Sequence, residues 1–124
     1  MKRYMNRYLR LRRMLKGLET YMPHTMDGFN KLYRHKANKG ALSAKCKELI
    51  ALSLAVSGGS TAAATMQLPD VIKSGASDQE IIETIEVAIM MGGTPALVAG
   101  SEVVDALSEF RAEREPDTLY AEPD

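Results

Sequence analysis

Apolar residues recur at steps of three and four along this sequence, and glycine or proline divides the pattern into segments. The first segment carries the apolar stripe Tyr4, Tyr8, Leu11, Leu15, Leu18 and Met22. Such spacing places the stripe on one side of an α-helix, which Pro23 should end. No segment shows the two-residue alternation of a half-buried strand. The sequence therefore predicts an all-α fold of five or six helices.

A second and a third helix are expected to follow the first. The second is predicted from about residue 25 to residue 38. Ser43 can cap the third helix, because its hydroxyl can accept a hydrogen bond from a free backbone N–H of the first turn. The body of that helix, residues 49–56, is apolar nearly all round. A helix without a polar side is expected to be buried.

Two further helices are predicted from caps and breaks in the middle of the chain. Ser60 or Thr61 can cap a fourth helix. Pro69 should kink or split this helix, because proline lacks the helical N–H donor. Ser77 and Glu80 have the spacing of a capping box, which predicts the start of a fifth helix.

The sixth helix and the segment after it complete the chain. Thr94 followed by Pro95 is typical of a helix start. The apolar face predicted for this helix consists of Leu97, Val104, Leu107 and Phe110. After Arg114 the chain holds two prolines and four acidic residues. We therefore expect one helical domain at residues 1–115 and a loosely ordered acidic tail at residues 116–124.

Charge is divided unevenly along the chain, although 16 basic residues balance 16 acidic ones. Residues 1–47 contain 13 Lys and Arg against two acids, and residues 48–124 contain 3 against 14. The arginine-rich first helix could bind nucleic acid phosphates. Its apolar stripe and the acidic fifth and sixth helices favour a charge-complementary homo-oligomer instead. No nucleic acid partner is expected, and no membrane partner, since no apolar run reaches the roughly 20 residues of a spanning helix.

The cysteine and histidine content limits redox and metal chemistry. Cys46 is the one cysteine, so no intramolecular disulfide can form and a reducing cytoplasm is expected. No apolar run of roughly 7–15 residues follows the basic N-terminus, so no secretory signal is expected. His24 and Asp27 could share a helix face, but two ligands are a weak case for a metal. His35 is the second histidine, and neither a metal nor a cofactor is predicted.

Three blocks of sequence carry a resemblance to a known family. They are GALSAKCKELIAL at residues 40–52, GAS at residues 75–77 followed by Glu80 and Ile81, and MMGGTPA at residues 90–96. Their order and spacing resemble the alkylhydroperoxidase D / carboxymuconolactone decarboxylase family, over about residues 25–110. The resemblance implies a small all-helical domain that assembles as a trimer or hexamer, with active sites near the contacts between subunits.

The same resemblance assigns four site positions. The peroxidase branch of the family has Cys-x-x-Cys, a histidine four residues later and an acidic residue before the first cysteine. These positions fall on Ser60, Ala63, Gln67 and Glu48 in this sequence, and only Glu48 keeps the family's residue type. The family activity implied is dithiol-dependent reduction of peroxides or disulfides. Serine and alanine cannot enter thiol–disulfide exchange, so this chain is interpreted as redox-silent.

Cys46 is not expected to replace the missing thiols. It lies about 200° around the third helix from Glu48, and the sequence holds no second thiol. Ser60 is explained as a helix cap, without a role as a nucleophile. The altered positions are consistent with natural divergence and equally with deliberate replacement of an active site.

Glu48 admits two interpretations. A buried carboxylate would have a raised pKa and could act as a base. A carboxylate at the helix edge would pair with Lys45, with Lys47 or with a neighbouring chain. The alternative function is therefore a cysteine-independent enzyme similar to carboxymuconolactone decarboxylase, or a small-molecule binder that uses Glu48. Whether the chain is an enzyme stays open at this point.

Overall fold

The computed structural model describes residues 3–113 as six α-helices and one short 3₁₀-helix. The α-helices are α1 (Arg3–Tyr21), α2 (Pro23–Arg34), α3 (Ala44–Ser57), α4 (Thr61–Lys73), α5 (Asp78–Gly92) and α6 (Thr94–Glu113), and the 3₁₀-helix is His35–Ala37. This described range contains no strand, so the all-α prediction is confirmed. The tail predicted at residues 116–124 lies outside the described residues.

The core lies between α3, α4, α5 and α6, with α1 packed across α4 and α6. Its largest fully buried side chains include Leu52, Val56, Leu68, Val71, Ile81, Val103 and Phe110. From α1, Tyr4 and Tyr8 reach this core, and the ring of Tyr8 meets Phe110 edge-on at a centroid distance of 5.9 Å. Helix α2 contacts α1 and the 3₁₀-helix, which places it at the side of the core.

Three of the helix starts depend on the serine caps expected from the sequence. The hydroxyls of Ser43, Ser60 and Ser77 each accept a hydrogen bond from the backbone N–H three residues on. The backbone N–H of Ser77 in turn donates to Glu80 Oε1 at 2.9 Å, which completes the capping box. These bonds satisfy N–H groups that have no partner inside the helix.

Two expected boundaries differ from the structure. Helix α2 ends at Arg34 and continues only as the 3₁₀-helix to Ala37, so the predicted α-helix to residue 38 is too long. Pro69 lies inside α4 without splitting it. Proline costs about 3 kcal/mol in a helix interior, but Leu68, Pro69 and Val71 are all fully buried, and their packing offsets that cost.

The predicted burial of α3 and α6 is only partly correct. Ile50 and Leu54 of α3 are 42% and 68% exposed, so the prediction of a helix buried all round is wrong for the single chain. On α6, Leu107 and Phe110 belong to the core, whereas Leu97 and Val104 are exposed. The core face of α6 also includes Ala96, Ala99, Val103 and Ala106. The three alanines are small and let α6 approach its neighbours closely.

The basic first helix meets acidic side chains of the same chain. Arg3 pairs with Asp105 at 3.6 Å, and Arg7 pairs with Glu102 at 3.7 Å. The Tyr4 hydroxyl donates to Asp105 at 3.0 Å. Part of the opposite charge expected to join different chains is therefore used between α1 and α6. Exposed pairs of this kind contribute at most about 1 kcal/mol each.

Two pairs of adjacent glycines, Gly58–Gly59 and Gly92–Gly93, lie at a close contact between helices. A Cβ on Gly92 would lie 2.8 Å from the carbonyl oxygen of Ser57. Gly59 has φ +75°, and a Cβ there would lie 2.9 Å from the Cβ of Pro95. The end of α3 is thus packed against the junction of α5 and α6, at a distance that only glycine permits.

Replacing Ser43 by alanine tests the caps. Ser43→Ala removes the bond from the hydroxyl to the backbone N–H of Cys46, which measures 3.0 Å. We expect the free energy of unfolding to fall by about 1 kcal/mol in urea denaturation. The matched control is Ser101→Ala, an exposed serine within α6. It should leave stability unchanged or raise it slightly, because alanine favours helix interiors. Equal losses in both variants would contradict the capping role.

Candidate functional site

The four positions singled out from the sequence lie on α3, on α4 and at the cap of α4. Glu48 belongs to α3 and is buried, with 5% of its surface exposed. The Ser60 hydroxyl accepts from the N–H of Ala63 at 3.1 Å and so serves as the cap of α4. Ala63 and Gln67 are four residues apart and share one face of α4. The structure therefore gives Ser60 a structural role and directs Ala63 and Gln67 to a common surface.

Ala63 and Gln67 line a cleft between α1, α2 and α4, here called the first cleft, with a volume of 470 Å³. Its apolar lining includes Leu15, Met26, Phe29 and Met66. Its polar and charged lining includes Arg12, Asn30, Asp70 and Lys73. A cleft of this size with one apolar side and a few polar groups is typical of a site for a small organic molecule.

Glu48 lies in a second cleft of 730 Å³, beside the 3₁₀-helix. This second cleft also contains Lys36. Tyr33, Asp70 and Lys73 line both clefts. Gln67 and Glu48 therefore face neighbouring spaces that share three side chains.

The partner of Glu48 is Lys36 of the 3₁₀-helix. The Lys36 Nζ lies 3.1 Å from Glu48 Oε1 and 3.5 Å from Asp70 Oδ2. The contact with Glu48 is one of charge rather than an aligned hydrogen bond, since Oε1 has no hydrogen-bond partner within residues 3–113. Lys36 itself is largely buried, with 18% of its side chain exposed.

The sequence had suggested other partners for Glu48, and these are wrong for the single chain. Lys45 pairs with Glu80 at 2.9 Å, and Lys47 donates to the carbonyl oxygen of Asn38 at 3.0 Å. Glu48 is buried, as one of the two interpretations expects, and its action as a base stays a prediction.

Burial and neighbouring charges shift the pKa of each member of this ion pair in opposite directions. Burial raises the pKa of Glu48, and the ammonium of Lys36 only partly opposes that rise. Burial alone would lower the pKa of Lys36, but Tyr33, Asp70 and Glu48 outweigh it and hold that pKa above its ordinary value. Lys36 is therefore a fixed cation, whereas Glu48 is the group whose proton is held more tightly than usual.

Tyr33 connects the two clefts. Gln67 Nε2 donates a hydrogen bond to the Tyr33 hydroxyl oxygen at 2.7 Å. Phe29 stacks on the Tyr33 ring at a centroid distance of 5.7 Å, and the Lys36 Nζ lies 3.8 Å from the ring centroid. Burial also raises the pKa of Tyr33, so the phenol keeps its proton at neutral pH.

Sequence reasoning missed Tyr33, Lys36 and Asp70. The available signal was spacing: Tyr33 and Lys36 are three residues apart, and so are Gln67 and Asp70, which places each pair on one helical face. No local pattern shows that these two faces meet, because α2 and α4 are brought together only by the tertiary fold.

The other candidate residues lie apart from this site. Within the described chain, Cys46 lines neither cleft, and its backbone N–H bonds to the cap Ser43. Asp27 pairs with Lys31 at 3.1 Å, and His35 contacts Asn38 at 3.2 Å. Residues 3–113 contain no group of three His, Cys, Asp or Glu side chains that could hold a metal ion.

Over the same residues, no helix has the length and apolar character needed to cross a membrane.

Comparison with known proteins identifies a family and a solved structure that this chain resembles. Residues 23–106 match the model of the carboxymuconolactone decarboxylase family. A curated relative from Cupriavidus necator, described only as an uncharacterized protein, is 28% identical over 106 residues, which cover 86% of this chain and 91% of the relative. A crystal structure of an apo carboxymuconolactone decarboxylase family protein from Legionella pneumophila is 31% identical. It matches with a TM-score of 0.82, over 89% of this chain and 98% of that chain.

The raised pKa of Glu48 predicts a specific dependence of stability on pH. Because the folded protein binds this proton more tightly than the unfolded chain, the stability due to Glu48 is complete below the ordinary pKa of 4.5. That stability is lost as the pH rises through the folded pKa. In Glu48→Gln this titration is removed, so the stability of the variant relative to the parent should increase from pH 4 towards neutral pH.

Urea denaturation at a series of pH values measures this difference. The matched control is Glu86→Gln, an exposed glutamate on α5. Its stability relative to the parent should not show the same rise. A Glu48→Gln variant that loses stability relative to the parent as the pH rises would contradict the assigned direction.

Proposed function

This chain belongs to the carboxymuconolactone decarboxylase family, and we propose that it is a redox-silent member whose clefts bind a small organic anion. One observation carries the proposal: the position of the family's histidine holds Gln67, which is bonded to Tyr33 in an accessible cleft without a thiol. Gln67, held by this hydrogen bond, thus forms part of the lining of the first cleft.

The absence of dithiol chemistry is supported by the side chains at the two cysteine positions. The Ser60 hydroxyl is occupied as a helix cap, and a serine hydroxyl ionises far above neutral pH. Ala63 has no reactive atom. Cys46 has no second cysteine in the sequence with which to form a disulfide. The family's exchange of a thiol pair with peroxide therefore has no counterpart in this chain.

Binding of an anion is supported by the charges of the clefts. The first cleft holds the cations Arg12 and Lys73 against one carboxylate, Asp70. The second holds Lys31, Arg34, Lys36 and Lys73 against Glu48 and Asp70, and Lys31 also pairs with Asp27 beside the cleft. An excess of positive charge at a concave surface attracts anionic ligands. The apolar wall of the first cleft adds a favourable surface for the carbon skeleton of such a ligand.

A second candidate function is favoured by the Lys36–Glu48 pair. Decarboxylation next to a lactone or keto group needs a proton donor and a cation that stabilises developing negative charge. Glu48 has a raised pKa and Lys36 is held charged, so the two side chains fit these roles. Gln67 cannot transfer a proton as histidine does, which favours binding without chemistry over decarboxylation.

Self-association, as a trimer or hexamer, is part of the proposal. The end of α3 and the junction of α5 and α6 carry exposed apolar side chains, here called the apolar end surface: Leu54, Met90, Met91, Leu97 and Val98. Exposed clusters of this kind are typical of contacts between chains. The single cysteine agrees with a reducing cytoplasm as the location, which stays a prediction.

An assay of peroxide consumption tests the redox part of the proposal. With dithiothreitol as electron source, the parent chain should consume hydrogen peroxide no faster than buffer with dithiothreitol alone. The triple variant Ser60→Cys, Ala63→Cys, Gln67→His restores the family pattern and should consume peroxide above that background.

The matched control for this assay is Ser101→Cys with Ser108→Cys, which adds two thiols on exposed positions of α6. This control should stay near background, because its thiols lack the cap of α4 and Glu48. Catalytic peroxide consumption by the parent chain would overturn the redox-silent proposal.

Sedimentation velocity tests self-association. Met91 is 77% exposed on the apolar end surface, and Met91→Glu places a charge there. We expect the parent chain to sediment as an oligomer and Met91→Glu to shift towards the monomer, because burial of an unpaired charge is unfavourable. The control Ser108→Glu, at an exposed position of α6 ten residues beyond Val98, should keep the parent's sedimentation. A parent chain that stays monomeric at micromolar concentration would contradict the proposed assembly.

A further inference from the structure

We propose that the Tyr33 hydroxyl is the hydrogen-bond donor that recognises a ligand in the first cleft, and that Gln67 orients it. The ligand class is a flat aromatic carboxylate, one of whose carboxylate oxygens accepts the Tyr33 proton. This inference rests on the proposed binding function, since it names the recognising group and the ligand class for the same cleft.

The position of Tyr33 is the first argument. Its side chain lines both clefts and is half-buried. Phe29 stacks on the ring with an interplanar angle of 26°, and the Lys36 ammonium lies 3.8 Å from the ring centroid. Lys36 is in turn held by Glu48 and Asp70. The phenol is therefore fixed in direction before any ligand binds, which lowers the entropic cost of binding.

The hydrogen bond to Gln67 is the second argument. A tyrosine hydroxyl can donate one hydrogen bond and can also accept. In this structure the oxygen accepts from Gln67 Nε2 at 2.7 Å. The hydroxyl proton then points away from that donor and is left for a ligand oxygen. Burial favours the protonated phenol, so the donor is present at neutral pH.

The residue type at position 67 matters for this arrangement. An amide nitrogen can only donate, so Nε2 at this distance directs the Tyr33 proton outwards. A neutral histidine in the same place has one nitrogen that can accept a hydrogen bond. That nitrogen could accept from the Tyr33 hydroxyl, which would leave no proton for a ligand. The exchange of the family's histidine for Gln67 therefore turns a proton-transferring position into one that orients Tyr33.

The ligand class follows from the rest of the first cleft. Leu15, Met26 and Met66 form an apolar wall, which suits a hydrocarbon ring. Arg12 lines the same cleft, and a guanidinium favours an acceptor that carries negative charge. A ring with a carboxylate meets both conditions, whereas a compact inorganic anion would leave the apolar wall in contact with water.

Titration followed by fluorine NMR tests the inference with two probes of similar size, 4-fluorobenzoate and 4-fluorotoluene. The parent chain should bind 4-fluorobenzoate more tightly. Tyr33→Phe keeps the ring and removes the hydroxyl, so the Kd for 4-fluorobenzoate should rise roughly 3- to 10-fold. The Kd for 4-fluorotoluene should not change. The control Tyr21→Phe, at a tyrosine 83% exposed on α1, should leave both values unchanged.

The role of Gln67 as a positioning residue has its own readout. In protein labelled with ¹³Cζ tyrosine, the Tyr33 signal is identified by its loss in Tyr33→Phe. Gln67→Met keeps the length of the side chain and removes the donor, so this signal should shift, and the Kd for 4-fluorobenzoate should rise. An unshifted signal with an unchanged Kd would overturn the role of Gln67.

The outcomes separate this inference from the proposed function. If 4-fluorobenzoate binds and Tyr33→Phe leaves its Kd unchanged, recognition by Tyr33 is overturned while anion binding stands. If neither probe binds to the parent chain, the proposed binding function is overturned, and this inference fails with it.

Discussion

The ion pair between Lys36 and Glu48 is the contact on which the arrangement of both clefts depends. A carboxylate with 5% exposure is very costly without a nearby cation. The cation comes from the 3₁₀-helix that follows α2, so pairing draws the end of α2 against α3. Asp70 of α4 also contacts the Lys36 ammonium, so α4 takes part in the same contact. Tyr33, one helical turn before Lys36, is thereby placed against Gln67.

The helix starts were predictable because their signals are local. Ser43, Ser60 and Ser77 each cap a helix as expected, and each cap depends on atoms within three residues of the serine. The continuity of α4 through Pro69 was not predictable in this way. Its cause is burial against the core, and a linear pattern does not show the depth of a side chain.

The site was predictable only in part, for the same reason. The family resemblance identified Glu48 and the positions of Ser60, Ala63 and Gln67, and the structure brings Ala63 and Gln67 to one cleft. The expected partners of Glu48 were Lys45 and Lys47 of the same helix or a neighbouring chain, whereas its partner within the chain, Lys36, lies twelve residues earlier on another element. Ile50 and Leu54 were expected in the core because their helix looks apolar on every side. The single chain leaves them exposed.

A carboxylate at position 48 is a weak source of stability for the core. Replacing a buried ion pair by apolar side chains of similar volume is often neutral or stabilising. Here burial still raises the pKa of Glu48 despite Lys36, so the charged form is less favourable in the folded chain than in water. Glu48 lines the second cleft, together with Tyr33 and Asp70, which line both clefts. The ion pair keeps the Lys36 Nζ 3.1 Å from Glu48 Oε1 and 3.8 Å from the ring centroid of Tyr33, a side chain that lines both clefts.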